Sequence, residues 1–299
     1  MEFLLTLQQL RSAVPDAVML AVTRLGEELF ALVPMLLCYW CIDKKLGLRI
    51  GYTYFAAGIA NQFTKLIFRV ERPFVRDPRI TPHPDAVGTA TGYSFPSGHT
   101  TSATALGMSL ALAFRKRWWV WLLAVLYMGV VGFSRLYLGV HTPTDVCVGW
   151  LMSIALALLV DAALRDCEKH PKHTRIYFAV GGVLAVAMMV YAGIAVSVGM
   201  VPAAQAKNAF QTGGAALALL IGLVLERRYV NFETRAALPV QIAKFAVGLG
   251  AALLCKEGLK PLLGTSLPMQ AVRYFVTVFV IVFAYPWLFT RVLRRKSAR

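Results

Sequence analysis

Two histidines, one carboxylate and three cations stand in this 299-residue chain at spacings suited to phosphate chemistry. The first group is Pro96-Ser97-Gly98-His99, set just before an apolar run that extends to about Phe114. Such a turn leaves the first backbone N–H groups of a helix unpaired, which makes an anion site. Ser97 can cap that helix, Gly98 lets the backbone approach a ligand, and His99 places an imidazole beside it. Taken alone, a Ser-Gly pair before a helix is most often only a cap. The flanking residues change that weighting. Upstream, Lys65 is followed after six residues by Arg72-Pro73. Downstream, Ser134-Arg135 is followed after five residues by His141 and after three more by Asp145. Arg presents a planar fork to two phosphate oxygens and Lys a point charge.

These groups need helix ends to hold them. Lys65 and Arg72 are seven residues apart, two helical turns, so a helix would put both on one face with Arg69 between them. Pro73 pulls Arg72 out of the helical region and ends that helix. For Arg69, favourable charge at a helix C-terminus or snorkelling to headgroups is explanation enough. Thr142-Pro143-Thr144-Asp145 reads as a helix start, with Thr142 as cap, proline in first position and an acid in third. On that reading Asp145 only caps. The same geometry holds a carboxylate one turn from His141, where it could fix the imidazole tautomer and raise its basicity. The two readings are compatible.

The three motifs, in this order, closely resemble those of the type 2 phosphatidic acid phosphatase superfamily, which includes lipid phosphate phosphatases, glucose-6-phosphatase and vanadium haloperoxidases. The resemblance covers roughly residues 27–164 and departs from the family pattern at none of the motif positions. It implies a covalent mechanism. His141 attacks phosphorus and Asp145 orients it. His99 protonates the leaving oxygen and then activates water. Lys65, Arg72, Arg135, Ser97 and the Gly98 backbone hold the phosphoryl oxygens. It implies no cofactor and no metal, because cations and helix dipoles do the electrostatic work.

Composition sets the surroundings. The chain is 58% hydrophobic and 15% charged, with a mean hydropathy of +0.62, against about 45–50% and about 25% in soluble domains. This is an integral membrane protein. The start of the chain shows no basic region, apolar core and cleavage site, so no cleaved signal peptide is expected. Five scattered cysteines argue against a disulfide framework. The net charge of +16 does not indicate nucleic acid, because the basic residues cluster at the ends of apolar segments. Residues 3–22 alternate apolar and polar groups, are interrupted by Pro15 and read as an interfacial helix, with a tilted span as the alternative.

Apolar runs near 25–41, 51–68, 100–114, 118–138, 146–164, 177–198, 213–225, 240–254 and 274–293 predict about nine transmembrane helices. The fold class is an all-α polytopic membrane protein, a phosphatase core bundle plus an extra C-terminal helical bundle. The expected layout is an N-terminal interfacial helix (1–24), the core with five spans (25–165), a polar connector (166–175) and a four-span region (176–299). Lys and Arg gather in one set of connections, among them 44–49, 115–117, 169–175 and 227–235, and in the tail with Arg294, Arg295, Lys296 and Arg299. That side should be cytoplasmic. The three motifs then face the extracytoplasmic side of a bacterial inner or plasma membrane, with the N-terminus outside and the C-terminus inside.

The expectation is a membrane phosphatase acting on a lipid phosphate or diphosphate: polyprenyl diphosphate, phosphatidic acid, phosphatidylglycerophosphate or a sphingoid phosphate. Membrane lipids are its surroundings. A sugar-phosphate phosphatase is the alternative of the same class, and a lipid-binding or transport protein with a vestigial site the alternative of another. The intact motifs argue against decay. A haloperoxidase is not expected within nine spans. Arg76, Arg79, His83 and Asp85, with Pro78, Pro82 and Pro84, form a stiff polar lip that either shapes a headgroup pocket or is plain loop. For the C-terminal half, a homodimer contact and a part in substrate choice are both open.

Overall fold

The computed structural model describes the backbone of residues 1–297 and the side chains of residues 1–292. The tail side chains counted toward orientation, from Arg294 on, lie outside the described residues. Fourteen α-helices and two π-helical turns make up the described chain, and among these residues there is no β-strand. They fall into two compact units, Met1–Leu32 with Arg49–Arg165, and Val33–Leu48 with Asp166–Arg299.

The first unit holds α1 (Glu2–Gln9), α2 (Ala13–Arg24), the start of α3 (Glu28–Leu37), most of α4 (Lys44–Phe68), the single turns α5 (Pro73–Arg76) and α6 (Pro84–Val87), α7 (Gly98–Ala113), α8 (Trp118–Tyr137) and most of α9 (Pro143–Lys169). α7 is its centre. Eleven of its sixteen residues are buried, most of them Ala, Ser, Thr or Gly. Small side chains let neighbouring helices approach closely. At Gly149 of α9 a Cβ would stand 3.2 Å from the Ser97 carbonyl and 3.3 Å from the Thr100 Cβ. That glycine lets the start of α9 lie on the start of α7. Met108 and Leu112 of α7 pack with Met128 of α8 and Ala157 of α9 further along.

The expected interfacial stretch is two helices. It breaks at residues 10–12, and Pro15 sits in the first turn of α2, where a proline is tolerated. α1 is docked by Leu4 and Leu7 on Ile80, Leu136 and Val146. Arg11 donates to the Tyr137 carbonyl through Nε (3.0 Å) and Nη2 (2.8 Å), and to the Thr81 carbonyl. The lip residues are engaged in the loop itself. Arg79 pairs with Asp77 (2.8 Å) and Glu2 (3.0 Å), and His83 caps α6 by accepting from the Asp85 N–H.

Sixteen residues along α9 from Asp145, the buried Asp161 gathers Arg49, Arg115 (3.2 Å) and Arg165 (2.8 Å). They join the start of α4 and the turn between α7 and α8 to the last turns of α9.

The second unit holds the end of α3 with the π turn Cys38–Ile42, the start of α4, α10 (His173–Ser197), α11 (Ala203–Tyr229), α12 (Leu238–Leu263), α13 (Leu267–Phe279), a second π turn Val280–Ala284 and α14 (Tyr285–Ser297). A π turn widens the helix ladder and disturbs its regular bonding. Here the first turn serves the second: Trp40 Nε1 donates to the Ile281 carbonyl (3.1 Å) and Tyr39 Oη to that of Val282 (3.0 Å). Lys44 pairs with the fully buried Glu226 at 2.7 Å.

Among the described residues six helices are long and apolar enough to cross a membrane, and the pair α2–α3, bent by 47°, makes a seventh if it is one span. The expected nine are reached only with α4 and α7. α4 has the length, 25 residues, but carries Lys44, Lys45 and Arg49 at one end and Lys65 near the other. α7 has sixteen residues, about 24 Å of helix against a hydrocarbon core of about 30 Å.

Candidate active site

Four helix ends, those of α4, α7, α8 and α9, and one loop meet in the first unit. α4 stops at Phe68, four residues short of Arg72, because Arg69 takes a left-handed conformation (φ +50°). Lys65 and Arg72 therefore do not share a helical face, as the seven-residue spacing suggested. The chain turns back instead. Ser94 N–H donates to the Val70 carbonyl (2.8 Å), and Arg72, extended before Pro73 (ψ 149°), starts α5. Lys65 Nζ donates to the Tyr93 carbonyl. Arg72 donates through Nε to Gly92 (3.2 Å), through Nη2 to Thr91 (2.9 Å) and through Nη1 to Val140 (3.0 Å). Both cations thus grip backbone of the 91–93 loop.

Ser97 caps α7, its Oγ accepting from Thr100 N–H (3.4 Å) and Thr100 Oγ1 (2.9 Å). Its own N–H donates to the Asp145 carbonyl (2.9 Å), so the start of α7 is bonded to the start of α9. Asn61 of α4 completes the tie by donating to the Pro96 carbonyl (3.3 Å) and to Thr101 Oγ1 (3.0 Å). At Gly98 a Cβ would meet nothing within 4 Å, so open space adjoins that backbone. At α9, Thr142 N–H donates to Asp145 Oδ2 (2.7 Å) and Asp145 N–H to Thr142 Oγ1 (3.4 Å), a reciprocal cap.

His141 lies between these ends, 1% exposed. Its Nε2 is 2.9 Å from Arg72 Nη1. A guanidinium only donates, so Nε2 accepts and Nδ1 carries the hydrogen. Nδ1 faces Ser94 Oγ at 3.3 Å and Asp145 Oδ2 at 3.5 Å, and Ser94 Oγ donates to that same oxygen at 2.6 Å. Asp145 both caps α9 and fixes the ring. Burial first, then the charges of Arg72, Arg135 and Lys65, hold the His141 pKa well below the ordinary 6.5. The ring is neutral at pH 7, with its lone pair on Nε2. Burial lowers Arg72 to about 10, which leaves it a cation there, with Asp145 acting the other way.

Arg135, near the end of α8, is fully buried. Nη1 donates to Thr23 Oγ1 at 2.5 Å, while Nε and Nη2 find no partner among the described residues. His99 Nε2 is likewise buried without one. His99 stands within electrostatic reach of Arg135, His141, Arg72 and Lys65. Lys65, Arg72, Ser97, Gly98, His99, Arg135, His141 and Asp145 all belong to these converging segments.

Comparison with known proteins gives the family. The profile of the PAP2 superfamily matches residues 46–168. Undecaprenyl-diphosphatase BcrC of Bacillus subtilis is 33% identical over 152 residues, 50% of this chain and 74% of the relative. The chain belongs to the PAP2 superfamily. A second PAP2 profile, "PAP2 superfamily phosphatase, transmembrane extension", matches residues 210–297 of the other unit. An undecaprenyl-diphosphatase of Sulfolobus acidocaldarius is 29% identical over 147 residues, 48% of this chain and 68% of the relative. Sphingosine-1-phosphate phosphatase 1 of Rattus norvegicus is 30% identical over 142 residues, 46% and 32% of the two chains. No solved structure matches. The expected membership therefore holds, and this PAP2 protein also carries the extension.

Two hydroxyls in this PAP2 protein escaped the reading of its sequence, Ser94 and Thr23. Ser94 lies two residues before Pro96 in a loop, where no periodicity marks it. Thr23 is one polar residue in a stretch read as interfacial, and only the fold brings it to Arg135.

Proposed function

We propose that this PAP2 protein is a membrane phosphatase that hydrolyses a lipid phosphate or diphosphate at the extracytoplasmic face, through a phosphohistidine and without a metal. The observation that carries this reading is the state of His141: neutral, with Nδ1–H directed at Ser94 and Asp145 and the Nε2 lone pair facing Arg72. A substrate phosphate is a stronger acceptor for Arg72 than an imidazole nitrogen. As the guanidinium moves onto a phosphoryl oxygen, Nε2 is freed to attack. The P–Nε2 bond forms, the bond to the leaving oxygen breaks, and His99 gives that oxygen a proton. The positive charge that develops on the His141 ring is stabilised by Asp145 through Ser94. His99 then takes a proton from water, which attacks phosphorus. The P–Nε2 bond breaks and inorganic phosphate leaves. Lys65, Arg72, the unpaired edge of Arg135, Ser97 and the Gly98 backbone hold the phosphoryl oxygens as charge shifts.

A lipid substrate is supported by the apolar helices around the site and by the relatives, whose names specify undecaprenyl diphosphate and sphingosine 1-phosphate. Polyprenyl diphosphate is the first candidate, with phosphatidic acid, phosphatidylglycerophosphate and sphingoid phosphates of the same chemistry. The side of the membrane rests on the distribution of Lys and Arg. The test is phosphate release by purified protein in EDTA, with these lipids and glucose 6-phosphate side by side and His141→Ala as control. Release from a lipid, lost in the variant, is expected. Release from glucose 6-phosphate alone, or only after metal is added, would contradict the reading.

A further inference from the structure

The bent pair α2–α3, long and apolar enough together to cross a membrane, breaks at Leu25-Gly26-Glu27. Irregular backbone at membrane depth is tolerated only where protein buries it or it lines a cavity. This break is held from both sides. Leu25 accepts a hydrogen bond from Tyr127 Oη of α8 at 2.6 Å. A Cβ at Gly26 would stand 2.8 Å from Val131 Cγ1 of α8 and 2.9 Å from the His99 Cβ. Only glycine lets the break close onto His99 unstrained. One turn before Glu27, Thr23 takes the hydrogen bond of Arg135, and Glu27 acts on the charge of Arg135 through space. Thr23, Leu25, Gly26 and Glu27 all lie before residue 46, outside the segment that matches the family profile.

Which nitrogen Thr23 holds is the telling point. A guanidinium offers an oxyanion two parallel N–H groups along its Nε–Nη2 edge. Thr23 takes Nη1, and the Nε and Nη2 atoms are the ones left unpaired. We propose that the break between α2 and α3 is a wall of the active site, and that Thr23 is a positioning residue that turns the bidentate edge of Arg135 toward the phosphoryl group. This rests on the reading of Arg135 as a phosphate ligand given above.

The experiment measures inhibition by tungstate, a phosphate-shaped oxyanion, together with KM for the preferred lipid, in Thr23→Val, Thr23→Ser, Arg135→Lys and the double variant Thr23→Val/Arg135→Lys. Valine keeps the shape of threonine and removes the hydroxyl. Lysine keeps the charge and removes the fork. Thr23→Val should weaken tungstate binding and raise KM about tenfold, and serine should restore both. In the Arg135→Lys background, Thr23→Val should add little, because its effect passes through the guanidinium. Unchanged tungstate binding in Thr23→Val, or an undiminished effect in the double variant, overturns the inference while Arg135→Lys still weakens binding. If Arg135→Lys itself binds tungstate as the wild type does, the reading of Arg135 as a ligand fails and the inference with it. A merely structural threonine would lower the melting temperature and leave KM of the folded protein unmoved.

Discussion

Helix α9 carries two buried carboxylates, and each has three cations about it. Around Asp161 the cations are Arg49, Arg115 and Arg165, and all three reach the carboxylate as ion pairs. Around Asp145 and the His141 ring it orients they are Lys65, Arg72 and Arg135, and none forms an ion pair with the carboxylate. Asp145 is occupied by Ser94, the Thr142 N–H and the His141 ring. Lys65 and Arg72 spend their hydrogen bonds on carbonyls and on His141, and Arg135 keeps two nitrogens unpaired. The composition is the same and the wiring opposite. One end of α9 is a clamp, with its charges satisfied. The other is the proposed site, whose cations make no ion pair with its carboxylate and whose carboxylate faces a neutral imidazole.

The comparison can be broken by exchanging roles. His141→Ala should reduce turnover by at least about a thousandfold and leave the melting temperature within a few degrees. Asp145→Asn should lower kcat about a hundredfold, since an amide cannot stabilise the imidazolium. Ser94→Ala should lower kcat about tenfold with little change in KM, measured under saturating substrate. The same kind of substitution at the other end should act differently. Asp161→Asn should lower stability by about 2 kcal/mol, less than a fully buried pair would, because Arg115 and Arg165 are about half exposed. Its kcat per folded molecule should equal that of wild type in a denaturation-corrected assay. Loss of kcat in Asp161→Asn without loss of stability would erase the distinction.

The smallest effect is in the pH dependence. The folded pKa of His141 lies below its unfolded value of about 6.5. As pH falls through 6.5, the unfolded chain takes up a proton that the folded chain refuses. This contribution to stability is therefore full above pH 6.5 and is lost as pH falls toward the folded pKa. His141→Ala should flatten that part of the stability curve. For the same reason the acid limb of kcat/KM should lie below pH 6.5, where an ordinary histidine would already be charged.

The difference between the two ends of α9 also marks what a sequence reveals. Long apolar runs showed a helical membrane protein, because lipid leaves few other solutions. Lys65, Arg72, His99, Arg135, His141 and Asp145 were visible as spaced motifs, and their helix ends do converge. Lys65 and Arg72 do not share the helical face that their spacing predicts. A left-handed Arg69 ends α4 early, and non-local bonds from Ser94 and the 91–93 carbonyls bring Arg72 back. Backbone turns of this kind depend on distant partners and leave little local pattern. Asp161, Ser94 and Thr23 had no signal for the same reason. Each is one polar residue whose meaning depends on a partner 40 or more positions away. The break at 25–27 falls at the expected boundary between the interfacial helix and the first span, and only its contact with His99 and Val131 had no signal.

The most direct test of the account is to catch the phosphohistidine. Purified protein is mixed with polyprenyl diphosphate labelled in its terminal phosphate, quenched in base within the first turnovers, and digested for peptide mapping. Base-stable, acid-labile label is expected on the peptide containing His141 and absent from His141→Ala. Full turnover with no label on any peptide, or label on a residue other than His141, would contradict it.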